Sequence, residues 1–99
     1  MANIVAIQKN LAGRVRARRK EGKISQAEMA KRSGVSYASI RRFENTGDIS
    51  LASLARIAAV LGYEADFDNL FTRKNYQSID EIIKENQRIE KLRKLLGNR

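Results

Sequence analysis

Apolar residues recur every three or four positions along most of the chain, which is the period of a helix with one buried face. The first run of this kind consists of Ile4, Ile7, Leu11 and Val15. It predicts a helix that ends near Lys20. Gly22 follows in a polar stretch, and we expect it to adopt the positive φ that helix C-termini commonly require.

Hydroxyl side chains mark the starts of the next two helices. Ser25 is followed three residues later by a glutamate, which is a capping box and predicts a helix over 26–33. Gly34 ends that helix, and Ser36 caps a third helix that runs to about Asn45. The sequence therefore predicts two short helices with a tight turn between them.

The second half of the chain contains further helix signals. Ser50 caps a fourth helix that Gly62 ends. Its apolar stripe consists of Leu51, Leu54, Ile57, Ala58 and Leu61. Residues 66–71 predict a short fifth helix, on which Phe67, Leu70 and Phe71 face inward.

A polar connector then leads to a last helix, which is predicted to start at Ser78, to be capped reciprocally by Glu81 and to run to about Leu96. Its wide apolar stripe is interrupted by Asn86 and consists of Ile79, Ile82, Ile83, Ile89, Leu92 and Leu96. Such a helix could fold back on the core, pair with its copy or engage another protein. We divide the chain into residues 1–72, which hold the first five predicted helices, and residues 73–99, which hold the linker and the amphipathic last helix.

Composition supports one small helical domain. The chain has 99 residues, 42% of them hydrophobic, and it has no Pro, Cys or His. The absence of Cys and His excludes disulfides, thiol chemistry and the usual zinc sites, and we expect no metal or cofactor. The lack of Pro, the few aromatic residues and the helix formers throughout favour an all-α fold. No apolar run has the length of a membrane span or a signal peptide, so we expect a protein of the cytoplasm.

The positive charge is concentrated in one half of the chain. Residues 1–45 hold 11 Lys and Arg against 3 Asp and Glu, whereas residues 46–99 hold 9 against 8. A segregated basic surface attracts polyanions, because each neutralised phosphate releases a condensed counterion. A basic surface that serves only solubility would have its charges interspersed. The distribution favours nucleic-acid binding.

The stretch "SQAEMAKRSGVSYASIRRFEN" has the layout of a helix-turn-helix, in which two helices are joined by a short turn that contains Gly. The apolar underside is predicted to consist of Met29, Val35, Ile40 and Phe43. The outward side of the third helix carries Ser36, Tyr37, Ala38, Ser39, Arg41 and Arg42. Small residues allow close approach to base edges, and Arg is the commonest side chain in specific contacts to guanine.

These residues resemble the helix-turn-helix of the Cro/C1-type (XRE) bacterial and phage regulators. The shared pattern is Gln at the start of the second helix, Ala-x-x-Ser-Gly-Val-Ser across the turn, and Ile and an aromatic residue before Glu-Asn. The resemblance covers about residues 11–62, with "SLASLARIAAVLG" matching the fourth helix. It implies a five-helix domain that docks its third helix in the major groove of double-stranded DNA, usually as a homodimer.

The resemblance also implies roles for single residues. Gln26 would bond a phosphate, and the backbone-contacting positions are Ser39 and Asn45. The base-reading positions are Ser36, Tyr37, Ala38 and Arg42. Gln26 could instead be an exposed helix-start residue, Tyr37 a packing residue, and Arg41 either a DNA contact or a solvated charge.

Arg19 and Glu44 occupy positions where this family often keeps a partly buried ion pair, and we interpret Glu44 as structural. Two positions depart from the family pattern. Lys23 stands where Gly is frequent, and Arg18 replaces a residue that is often apolar. The departures bear on phosphate contacts of the first helix and leave the predicted fold unchanged.

Around "LFTRKNYQSIDEII" the sequence is similar to the C-terminal parts of small XRE regulators of HipA-type kinase toxins, the HipB-like antitoxins. This similarity implies an autorepressor of a toxin–antitoxin operon that contacts the toxin or works with a separate antitoxin subunit. Two other hypotheses stay open, a phage-type or restriction–modification controller without a toxin partner, and a basic RNA-binding or structural protein. An enzyme is not expected, because no clustered carboxylates or phosphate-binding glycine loop are present.

Overall fold

The computed structural model describes residues 3–74 and 79–97. Within these ranges every regular element is a helix, and the all-α prediction is confirmed. The elements are α1 (Ile4–Glu21), α2 (Gln26–Ser33), α3 (Tyr37–Thr46), α4 (Leu51–Leu61), a 3₁₀ helix (Glu64–Asn69) and α5 (Ile79–Gly97).

Serine caps fix the starts of three helices. The hydroxyl oxygen of Ser25 accepts the backbone N–H of Glu28 at 3.0 Å, and Ser50 accepts that of Ser53 at 3.1 Å. Ser36 caps α3 in the same way. Each cap satisfies one of the N–H groups that have no partner inside the helix, and its removal typically costs about 1 kcal/mol. The three predicted serine caps are confirmed.

The core lies between α2, α3 and α4. Met29, Val35, Ile40 and Ile57 form one buried cluster, and Phe43 is also fully buried. These residues come from three helices and from the turn at Val35, and the helices bury their apolar faces against one another. The predicted apolar underside of α2 and α3 is confirmed.

Two predicted apolar stripes are only partly packed. On α1, Ile4 and Ile7 are 69% and 52% exposed, and the helix becomes partly buried at Gln8 and Leu11. Leu51 at the start of α4 is also exposed. The apolar stripe of α1 extends beyond the helices that α1 packs against. The buried residues of α1 are Ala12 and Arg19.

The predicted inward positions of Leu70 and Phe71 are wrong. Leu70 is 55% exposed and Phe71 is fully exposed, while Phe67 is half-buried. The 3₁₀ helix ends at Asn69, and Leu70 has an extended backbone with ψ 131°. Because the helical period stops there, the chain no longer returns the next two side chains to the core.

The end of α1 also differs from the prediction. Gly22 has φ −76°, a right-handed conformation, and Lys23 takes the positive φ of 57° instead. The N–H groups of residues 22, 23 and 24 all bond to carbonyls of the last turn of α1. This extra turn moves the left-handed conformation by one residue, from Gly22 to Lys23. The Cβ of Lys23 makes a positive φ strained.

The C-terminal helix α5 stands apart from this core. None of its residues is buried, and the radius of gyration is 19.5 Å, against about 13 Å for a compact domain of 100 residues. Its predicted cap, Ser78, lies outside the described residues. Within the described part of the chain, no helix is both long and apolar enough to cross a membrane.

Candidate nucleic-acid interface

Burial of one side of α3 leaves its other side in solvent. Ile40 and Phe43 are each 1% exposed and hold the helix against the core. The opposite side is exposed at all six positions singled out from the sequence, which are Ser36, Tyr37, Ala38, Ser39, Arg41 and Arg42. The structure therefore brings these six side chains together on one surface, which we call the α3 face.

The N-terminal end of the α3 face is small and polar. Ser36 accepts the backbone N–H of Ser39 at 3.1 Å, and its hydroxyl lies 2.8 Å from that of Ser39, to which it donates. Ala38 between them adds only a methyl group. A helix start with small side chains presents its N–H groups and positive dipole end to an approaching anion.

One aromatic and one cationic side chain of this face are in contact. The guanidinium of Arg41 lies over the ring of Tyr37 at 5.7 Å from its centroid, which is a cation–π distance. Tyr37 is 47% exposed and does not insert into the core. The contact orients both side chains at the solvent side of α3.

Arg42 is held by a carboxylate that the sequence reasoning did not identify. Its Nη2 lies 2.7 Å from the Oδ2 of Asp48, in the loop after α3, and the two side chains are 70% and 55% exposed. An ion pair this exposed is weak, on the order of 0–1 kcal/mol. Arg42 can therefore exchange Asp48 for a nucleic-acid acceptor at small cost.

Behind the α3 face, Arg19 and Glu44 form a bidentate ion pair. Arg19 Nε and Nη2 donate to the two carboxylate oxygens of Glu44, each at 2.8 Å. Arg19 Nη1 also donates to the carbonyl of Ile24 at 2.7 Å. These hydrogen bonds connect α1 to the turn after it and to the end of α3. Arg19 is 7% exposed, so the charged hydrogen bonds are largely shielded from water.

Two further side chains complete this network. Gln26 Nε2 donates to Glu44 Oε1 at 3.1 Å, and Arg16 Nε lies 3.6 Å from the same oxygen. Burial alone would raise the pKa of the Glu44 carboxyl, but the hydrogen bonds from Arg19 and Gln26, together with the positive charges of Arg19 and Arg16, hold the pKa below its ordinary value of 4.5. Glu44 is thus kept as a carboxylate.

The network gives Gln26 a structural contact in addition to its predicted phosphate contact. The sequence predicts a phosphate contact, and the structure places its amide nitrogen on Glu44. The amide carries a second N–H, and it stands at the first residue of α2, where backbone N–H groups lack partners inside the helix. Glu44 therefore orients Gln26 at the N-terminal end of α2 without using all of its donors.

Sequence reasoning missed Arg16 and Asp48. Arg16 is three residues before Arg19, so helical spacing places the two on one face of α1, and that signal could have found it. Asp48 had no such signal, because its approach to Arg42 depends on the chain reversal at Gly47. Asn45, by contrast, is exposed at the end of α3.

The described residues contain no group of three or more His, Cys, Asp or Glu placed to hold a metal ion. A family model described as helix-turn-helix matches residues 15–67, from the middle of α1 into the 3₁₀ helix. No curated protein and no solved structure matches the chain. The matched segment contains the ion-pair network and the whole α3 face.

Proposed function

The chain belongs to the helix-turn-helix family and is a DNA-binding transcriptional regulator, and on that premise we propose that it represses its own promoter by docking α3 in the major groove of an operator. A major groove about 12 Å wide admits one α-helix. Basic residues on α1 to α3 supply the attraction to phosphates.

The observation that carries the proposal is the composition of the α3 face. Its small N-terminal residues permit close approach, and its exposed arginines can bond to base edges. We assign base contacts to Ser36, Tyr37, Ala38 and Arg42. Arg41 is assigned a supporting contact beside Tyr37, which it covers.

Phosphate contacts are assigned to residues on and beside this face. Gln26 stands at the start of α2, and Ser39 and Asn45 lie on α3. Such contacts fix the position of a protein on the duplex but carry no sequence information. The Arg19–Glu44 pair makes no DNA contact in this proposal; it holds α1 against the end of α3 and orients Gln26.

We further propose that two copies bind a pseudo-palindromic operator. A single α3 reads only a few base pairs, and two-fold related helices read two half-sites about one helical turn, ~10 bp, or a multiple of it apart. Residues 1–72 form the DNA-binding unit in this proposal, and residues 73–99 provide the contact to a second copy or to another protein.

The test is binding of the full chain to DNA from its own promoter with random DNA as competitor, at several salt concentrations. We expect selection of one site with two-fold symmetry, protected over two half-sites in a footprint. Equal affinity for promoter and random DNA, with a steep salt dependence, would favour a non-specific basic protein instead.

The finer role we propose is the regulatory antitoxin of a HipA-type kinase toxin operon. Its support is the similarity of the segment around residues 70–83 to HipB-like regulators, and the exposed apolar surface of α5. The test is a kinase-type gene beside that of the chain, and co-purification of the two products. A methyltransferase and endonuclease pair in that place would favour a restriction–modification controller.

A further inference from the structure

The exposed apolar row of α5 has the spacing of a helix-pairing surface. Ile82, Ile89 and Leu96 are seven residues apart and are 40%, 40% and 71% exposed. Ile79 and Leu92 flank this row and are exposed as well. A repeat of seven residues brings side chains to one side of a helix, where another helix can cover them along its length.

The charges of α5 are divided between its two ends. Residues 79–87 contain Asp80, Glu81 and Glu85 against one lysine. Residues 88–97 reverse this balance with Arg88, Lys91, Arg93 and Lys94 against one glutamate. The helix is therefore acidic in its first half and basic in its second.

This division distinguishes the two ways of pairing a helix with its own copy. Parallel helices would place acidic half on acidic half and basic half on basic half. Antiparallel helices place each acidic half against the basic half of the partner, and opposite helix dipoles meet as well. We propose that α5 pairs in antiparallel sense with α5 of a second copy of this chain, crossing it near residue 88.

The charges in the basic half of α5 disfavour docking of the whole apolar row on its own domain. The apolar groove available there has a volume of about 530 Å³, lies between α1, α4 and the 3₁₀ helix, and has Arg14, Arg18 and Asp66 on its wall. Of these, Arg18 pairs with Glu21 at 2.7 Å. Residues 1–45 carry a net charge of +8. The apolar row extends into the basic half of α5, so docking the whole row here would bring that half against a basic domain, whereas antiparallel self-pairing sets each half against its opposite charge.

The inference rests on the homodimer of the proposed function and names its contact. In this pairing α5 contacts α5, and the α3 face of neither copy takes part in the contact.

Cysteine crosslinking of the full chain tests both the contact and its direction, because the chain has no native Cys. Ile89→Cys lies one residue from the crossing point, so we expect it to crosslink to its own copy. Gln87→Cys is the matched control, since it stands at the same height on the opposite side of the helix and should give no crosslink.

Direction is read from the two ends of the row. In the antiparallel pair residue 82 of one copy lies about 18 Å along the axis from residue 82 of the other, at 1.5 Å per residue, which is beyond the reach of a disulfide. Ile82→Cys alone and Leu96→Cys alone should therefore stay uncrosslinked. An equilibrated mixture of the two should form a crosslinked heterodimer.

Crosslinking of Ile82→Cys to itself and of Leu96→Cys to itself would show a parallel pair and overturn the proposal. No crosslink in any variant, with the chain still dimeric in sedimentation and selective for its operator, would place the dimer contact elsewhere and leave the proposed function intact. A monomer without operator selectivity would remove both.

Discussion

At the scale of single residues, Arg42 is the side chain on which sequence recognition is expected to depend. We predict that Arg42→Ala weakens operator binding by roughly 1–3 kcal/mol and weakens random-DNA binding much less, because a base contact is lost. Gln26→Ala should weaken both more evenly, because phosphate contacts do not depend on sequence. Competition binding of each variant with the two DNAs measures the difference.

Asp48 supplies the control for this prediction. It pairs with Arg42 at 2.7 Å, and Asp48→Ala removes that pair while keeping the arginine. If Arg42 reads a base, Asp48→Ala should retain or increase operator affinity. An equal loss in Arg42→Ala and Asp48→Ala would mean that the ion pair matters and the base contact does not exist.

Glu44 is expected to make stability depend on pH. Because its folded pKa is lowered below 4.5, its contribution to the unfolding free energy is fully present above the unfolded pKa and is lost as pH falls through the folded pKa. We therefore predict that the difference in unfolding free energy between the native chain and Glu44→Gln is constant near neutral pH and shrinks in acid. Urea unfolding followed by circular dichroism at pH 7 and at pH 3 measures it.

The size of this difference follows from the burial of Arg19. Removing one partner of a buried pair costs roughly 3–5 kcal/mol, because the other charge is left without compensation. Glutamine keeps the shape and one acceptor, so the lower end of this range is expected at pH 7. A Glu44→Gln variant as stable as the native chain at pH 7 would show that the network is energetically neutral.

At the scale of the elements, the turn after α3 depends on a glycine for two reasons. Gly47 has φ +83°, and a Cβ added there would lie 2.6 Å from the backbone carbonyl carbon of Gln8. Gly34 has a similar φ of +76° and no atom within 4 Å. We predict that Gly47→Ala destabilises the fold by about 1–3 kcal/mol more than Gly34→Ala, since only the first overpacks a backbone contact.

Both glycine variants incur the left-handed backbone cost of about 1–2 kcal/mol, so their difference isolates the contact of this turn with α1. Thermal and urea unfolding of the two variants give the comparison directly. Equal losses would indicate that α1 moves away from the turn at little cost.

The junction of α1 and α2 carries strain that can be removed. Lys23 adopts φ 57°, where a non-glycine residue costs about 1–2 kcal/mol. Glycine loses more entropy on folding, which offsets part of the gain. We predict that Lys23→Gly raises the unfolding free energy by roughly 0.5–1 kcal/mol, measured by urea unfolding.

Lys23→Ala separates the backbone from the charge. Alanine has the same difficulty with a positive φ as lysine, so this variant should gain little. A gain equal to that of Lys23→Gly would point to relief of repulsion among the basic residues of α1 and would contradict the argument from strain.

At the scale of the whole molecule, folding and operator binding should separate on truncation. Every buried apolar residue of the described chain lies between Ala12 and Ala58, so residues 1–72 retain the complete core. We predict that this truncated chain unfolds cooperatively like the full chain but binds a two-half-site operator about 10²-fold more weakly, because linked binding of two units is lost. Binding assays on one-half-site and two-half-site DNA measure the effect.

On the one-half-site DNA the two chains should bind alike. Selection of the full operator with equal affinity by both chains would mean that the dimer contact lies within residues 1–72. The α5 surface would then be free for a protein partner, and the antitoxin role would gain support.

The prediction of the DNA-binding fold from sequence succeeded where the determining interactions are local. The serine caps and the turn at Gly34 involve residues within a few positions of one another, and helical spacing identified Met29, Ile40 and Phe43 as buried. The prediction of inward-facing side chains failed for Leu70 and Phe71. These residues follow the last helical turn, so helical spacing does not determine which way their side chains face. Sequence reasoning also assigned the left-handed position to Gly22 instead of Lys23, since that choice depends on how many residues the last turn of α1 takes in.

The sequence by itself determined the helical class, the helix-turn-helix and the exposed basic side of α3, because helix period, caps and charge are properties of short stretches. Only the tertiary structure decided that Asp48 holds Arg42, that Glu44 orients Gln26 and that Gly47 contacts the backbone of Gln8. Each of these contacts depends on the angle at which two elements meet. That angle is set by the packing of the whole core, which no short stretch of sequence contains.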